Sequence, residues 1–106
     1  MPNFISVHIT TSSRPEAEKI ARALVQEKMA ACVNIVGGLK SLYHWEGKIE
    51  ETEETLLIAK SRAELFEPLR KLVKALHSDE CPCILAQPIT AGHQPYLDWL
   101  AKETMS

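Results

Sequence analysis

The middle of the chain constrains its fold most. Ala31-Cys32-Val33-Asn34-Ile35-Val36 reads as a strand, Gly37-Gly38 interrupts it, and the run resumes from Leu39 to Trp45. Glycine inside a strand pattern marks a bulge or a sharp bend. Glu46-Gly47-Lys48 suits a hairpin turn, because glycine takes positive φ at little cost. The return strand runs from Ile49 through the acidic stretch Glu50-Glu51-Thr52-Glu53-Glu54. It ends in Thr55-Leu56-Leu57-Ile58-Ala59-Lys60, an apolar run suited to the centre of a sheet. A hairpin this long overshoots the sheet of a small domain. Its overhanging edges are unpaired and require a partner, so the chain is expected to form an oligomer.

The flanking segments supply the rest of the sheet and its helices. Phe4 to Thr10 places Ile5, Val7 and Ile9 at the period of two that marks a half-buried strand. Ser13-Arg14-Pro15-Glu16 has the form of a capping box. Ala17, Ile20, Ala21, Leu24 and Val25 follow as one apolar stripe, predicting a helix from about 14 to 28. Ser61-Arg62-Ala63-Glu64 is a second box of the same form, and Phe66, Leu69, Leu72, Val73 and Leu76 make the stripe of a second helix. Pro68 is awkward for a helix capped at Ser61. An irregular first turn, or a start nearer Leu65, is expected. Cys83 to Gln87 is a fourth strand stopped by Pro88, and Pro95 opens a short last helix carrying Tyr96, Trp99 and Leu100. The order β-α-β-β-α-β plus a helix predicts an α+β, ferredoxin-like sandwich: one domain over 1–106, with a four-stranded antiparallel sheet and a long bent middle hairpin.

Composition narrows the function. Hydrophobic residues make up 45% and charged residues 25% of 106, ordinary for a single globular domain. The formal net charge of −2 argues against nucleic acid as a partner. No apolar run approaches the ~20 residues that span a bilayer, and Met1-Pro2-Asn3-Phe4 has no charged leader pattern, so neither membrane nor secretion is expected. Three cysteines is an odd count, which suits a reducing compartment and a cytoplasmic protein. The phosphate-loop, nucleophile-elbow and zinc-protease patterns are missing, and the expectation is a protein that is not an enzyme.

The run Ala31-Cys32-Val33-Asn34-Ile35 to Leu42-Tyr43-His44-Trp45-Glu46-Gly47-Lys48 resembles the CutA family of divalent-cation tolerance proteins. The likeness continues at Leu57 to Ser61, at His77, at Cys81-Pro82-Cys83-Ile84, at Pro88-Ile89, and from Gly92 to Leu100. It implies a homotrimer whose long hairpins extend sheets across subunits, an architecture similar to that of the P-II signalling proteins. It also implies copper or another divalent cation as the bound partner and a role in metal tolerance, with no established reaction. His77 matches a histidine proposed as a copper ligand in bacterial relatives. Ile9 stands where some of them carry a cysteine proposed as a ligand.

Cys81-Pro82-Cys83 is the sharpest chemical feature. Pro82 favours an extended backbone at Cys81, and in an extended chain residues i and i+2 face the same way, so both thiols can bite one ion. His77 lies four residues upstream. Thiolates with an imidazole suit Cu(I), or zinc with a water. The metal candidates are His77, Cys81, Cys83 and Cys32, weighed against the simpler reading that buried cysteines are core packing. Lys60 ends a buried strand, within reach of Cys32 on its neighbour. A candidate inter-subunit cleft comprises Cys32, His44, Trp45, Lys60, Glu80, Tyr96 and Trp99, where the aromatic residues equally suit plain interface packing. The acidic stretch reads as a solvated strand, because alternation sends its carboxylates to both faces. The alternative to the metal reading is a P-II-like signalling or adaptor trimer that binds a small ligand or a partner protein between subunits.

Overall fold

The computed structural model describes residues 3–104; Met1 and Pro2, the start of the segment read above for a leader, lie outside the described residues. The elements are β1 (Phe4–Thr11), α1 (Arg14–Gln26), β2 (Cys32–Trp45), β3 (Lys48–Arg62), a 3-10 turn (Ala63–Leu65), α2 (Phe66–Leu76), β4 (Ile84–Pro88) and α3 (Gln94–Glu103). The four strands form one antiparallel sheet in the order β2-β3-β1-β4. This is the α+β, ferredoxin-like arrangement expected from the pattern.

Alternation in β1 and β3 builds the core. Ile5, Val7 and Ile9 point to the buried face, as do Leu57 and Ala59 across the ladder, where Val7 pairs with Ala59 and Ile9 with Leu57. The stripes of α1 (Ala17, Ile20, Ala21, Leu24) and α2 (Leu69, Val73) close that face. The alanines let α1 lie close to the sheet. Each of Ile20 and Leu24, fully buried, contributes about 1.5–3 kcal/mol of apolar burial. Val25, expected in the stripe, is exposed instead. α1 ends at Gln26, short of residue 28, because Lys28 turns to φ 57 and the chain reverses toward β2.

The Ser13 cap forms, its Oγ accepting the Glu16 amide at 3.3 Å. The cap expected at Ser61 does not. β3 runs on through Arg62, and Ser61 is buried in the strand with its hydroxyl donating to the Met29 carbonyl. The 3-10 turn absorbs Pro68's constraint, so α2 begins at Phe66 and Pro68 falls in its first turn. β4 starts at Ile84, one residue later than expected, and includes Pro88. Pro88 pairs with Ile5 on an edge strand, where a missing N–H is tolerated.

The hairpin overhangs the sheet as its length demanded. β1 pairs with β3 only from Thr55 to Arg62, whereas β2 pairs with β3 down to Trp45↔Lys48. The ribbon from Leu39 to Glu54 therefore has no third strand among the described residues. The ladder shifts between Val36 and Leu39, where Gly38 sits at φ 74 and forms the bulge. The tip is a two-residue turn with both residues at positive φ, Glu46 at 49 and Gly47 at 79.

Candidate metal cleft

The ribbon beyond Gly37-Gly38 and the loop between α2 and β4 together enclose a cleft of about 630 Å³. One wall is mainly one face of the ribbon, Leu42 being the exception from the other face. In the register Leu39↔Glu54, Ser41↔Thr52 and Tyr43↔Glu50, alternate residues share a face, so Tyr43, Trp45, Glu50, Thr52 and Glu54 all line the cleft. The other wall is the loop, which contributes Asp79, Glu80, Cys81 and Cys83. The two cysteines are exposed and unpaired. The acidic stretch is thus not only a solvated strand. Its even-numbered glutamates face the thiols, while Glu51 and Glu53 lie on the opposite face, where Lys40 reaches Glu51 at 2.8 Å. The sequence carried this signal in the alternation, but only the folded loop supplies the opposite wall.

His77 sits behind the loop, only 9% exposed. Its Nε2–H donates to the Thr10 carbonyl at 2.7 Å, and its Nδ1 accepts the Asp79 amide at 2.9 Å. A ring that donates from one nitrogen and accepts at the other is neutral and has no lone pair left for an ion. Beside it, Glu16 accepts the Ser78 amide at 2.8 Å and the Ser12 amide at 3.3 Å. Burial pushes the Glu16 carboxyl up. The hydrogen bonds from Ser78 and Ser12 outweigh that and hold it below the ordinary range. Lys74 Nζ donates to the Glu80 carbonyl at 2.9 Å. Three contacts therefore position the start of the loop, and the thiols follow.

The remaining predicted residues gather elsewhere. Cys32 is the ladder partner of Lys60, as their placement suggested, but the Lys60 ammonium donates to the Asn34 side chain. Tyr96 lies against Cys32, where burial and then the thiol push its phenol up, and its ring stacks at 5.5 Å on Trp99. From Cys32 to Trp45 the ribbon extends about 40 Å at the usual strand rise. Cys32, Lys60, Tyr96 and Trp99 thus occupy one end of the protomer. Trp45 and Glu80 line the cleft at the other end, and His44 points to the ribbon's opposite face. Ile9 is fully buried in the core and offers no ligand. Among the described residues no three His, Cys, Asp or Glu side chains converge closely enough to hold an ion, and no helix is long and apolar enough to cross a membrane.

Comparison with known proteins places this arrangement. Residues 5–103 match the family described as CutA1 divalent ion tolerance protein. The chain is 49% identical over 98 residues to the divalent-cation tolerance protein CutA of Thermus thermophilus, covering 92% of this chain and 95% of that one. It is 48% identical over 100 residues to the chloroplastic CutA of Arabidopsis thaliana, covering 94% of this chain but only 55% of that longer protein. The solved Cut A1 structure from Thermus thermophilus superposes with a TM-score of 0.94 at 47% identity, over 96% of this chain and 99% of that one. That of CutA1 from Oryza sativa gives 0.96 at 40% identity, over 98% and 95%. One solved relative, from Archaeoglobus fulgidus, is described as periplasmic; it has a TM-score of 0.90 at 48% identity, over 97% of this chain and 98% of that one. The chain belongs to the CutA family of divalent-cation tolerance proteins.

Proposed function

We propose that this chain works as a cytoplasmic homotrimer that binds copper or another divalent cation in the cell's tolerance of metal ions, without catalysing a reaction. One observation carries the metal reading: two exposed thiols, Cys81 and Cys83, share a cleft with Glu50, Glu54, Asp79 and Glu80. The donor chemistry suits a soft or borderline ion, with the thiolates as the soft ligands and a carboxylate able to complete the shell. His77 acts here as the loop's anchor, both of its nitrogens being engaged.

The unpartnered ribbon supports the trimer. Leu42 is 64% and Ile49 70% exposed on it, and Leu85 is 61% exposed on the edge strand β4. A two-stranded ribbon is marginal alone, and apolar side chains at this exposure mark a contact surface. The Thr52 hydroxyl, buried with no hydrogen-bond partner among the described residues, suits a polar group arriving from outside the protomer. In a closed ring each hairpin would cross to its neighbour. That would bring His44 and Trp45 of one subunit toward Cys32, Lys60, Tyr96 and Trp99 of the next, forming the inter-subunit cleft.

Native mass spectrometry tests both parts, first without metal and then with graded Cu(I), Cu(II) and Zn(II). The expected result is a trimer that saturates at one ion per chain, with loading lost when Cys81 and Cys83 are both serine and kept when His77 is alanine. A monomer, or uptake that never saturates, would refute the reading.

A further inference from the structure

We propose that Cys81 and Cys83 are a reversible modification site, a dithiol that a small-molecule disulfide oxidises to an internal disulfide, closing the cleft's metal site. This rests on the metal reading above and adds its regulation. Both thiols are exposed, and Cys81, Pro82 and Cys83 take part in none of the loop's hydrogen bonds, which hold Ser78, Asp79 and the Glu80 carbonyl instead. The segment can therefore bend without breaking them. Cys81 lies at a bend and Cys83 just before β4 begins at Ile84, so the pair is not held at full strand extension, where residues two apart lie roughly 6.6 Å from Cα to Cα, and bending brings them into the range of about 4.4–6.8 Å that a disulfide needs. A bridge between two exposed cysteines is among the labile ones and is readily reduced again.

The chemistry balances. One cysteine thiolate attacks the small disulfide, forms a mixed disulfide and releases one small thiolate. The second cysteine thiolate attacks the bonded cysteine sulfur, the mixed bond breaks, and the second small thiolate leaves. The two cysteine protons end on the two released thiols, and two electrons pass from the protein to the oxidant. The cleft selects the oxidant by charge. Glu50, Glu54, Asp79 and Glu80 repel an anionic disulfide and attract a cationic one.

Trypsin releases residues 75–102 as one peptide holding Cys81 and Cys83, while Cys32 falls in residues 29–40. Reduced full-length protein is treated at low salt with cystamine, which is cationic, or glutathione disulfide, which is anionic, and its peptides are weighed. The expected product is the 75–102 peptide lighter by two hydrogen atoms, free of adducts and restored by dithiothreitol. Cystamine should act at least about tenfold faster than glutathione disulfide, and replacing Glu50 and Glu54 with glutamine should narrow that ratio. Stable adducts on both cysteines, bridges between chains, or a peptide left reduced would overturn the proposal. In parallel, reduced and oxidised protein are titrated with Cd(II) and the sulfur-to-metal absorption band is followed; the oxidised form should lose it. A disulfide that forms in a protein showing no band when reduced would refute metal binding and leave the modification site standing. A band that persists after oxidation would refute the regulation.

Discussion

The Glu16 carboxylate accepts the Ser78 amide at 2.8 Å, tying the first turn of α1 to a loop 62 residues further along the chain. The same side chain takes the Ser12 amide, and His77 bridges the next link from the Thr10 carbonyl to the Asp79 amide. The loop that carries the two cleft cysteines is therefore set by a carboxylate and an imidazole that are not themselves in the cleft.

Glu16→Gln should weaken that anchor. The folded carboxyl is held below its ordinary value of 4.5, so its contribution to stability is present above that pH and is lost as pH falls through the lowered folded value. The variant should cost about 0.5–1 kcal/mol at pH 7 after discounting for exposure. Its denaturant midpoint should also change less than the parent's between pH 5 and the acid limit. Parallel pH curves would sink the assignment.

The hairpin tip offers a gain. Glu46 adopts φ 49 ahead of Gly47 at φ 79, a left-handed pair that asparagine and glycine fill with less strain. Glu46→Asn should raise stability by about 0.5 kcal/mol, whereas Gly47→Val, with a branched residue forced to positive φ, should lower it by more than 1 kcal/mol, roughly. Thermal melts at one fixed protein concentration read both.

Leu57 faces the core on β3 with no exposed surface. Leu57→Ala should destabilise the fold by about 2–5 kcal/mol through lost burial and the cavity left behind. Chemical denaturation measures it, and a cost under 1 kcal/mol would mean that the core closes over the gap.

Leu42→Glu and Ile49→Glu place charges on the exposed ribbon without touching the core. If the ribbon docks on a neighbour, each should shift the assembly toward folded monomer, read by light scattering beside circular dichroism. An unchanged mass would place the contact elsewhere.

Much of the fold was legible from pattern. Periods of two and 3.6, two glycine breaks and a proline at α3 reproduce the order of elements, and the bulge falls where Gly37-Gly38 predicted it. The failures share one physical cause. The Ser61 motif read as a helix cap, yet the strand's ladder and the Met29 carbonyl outcompete local capping. The role of the acidic stretch depended on what stood opposite, and nothing within residues 50–54 identifies the loop at 79–83.

Local pattern sets the order of elements, the bend, the overhanging ribbon and the placing of both thiols on one short segment, because these follow from periodicity and backbone preferences that act over a few residues. Three relations emerge from folding alone: His77 spends both nitrogens on the backbone, Glu50 and Glu54 share a cleft with Cys81 and Cys83, and Cys32 with Lys60 lies at the far end of the protomer. Those are relations between segments distant in the chain, set by sheet register and loop closure, and no local pattern encodes them.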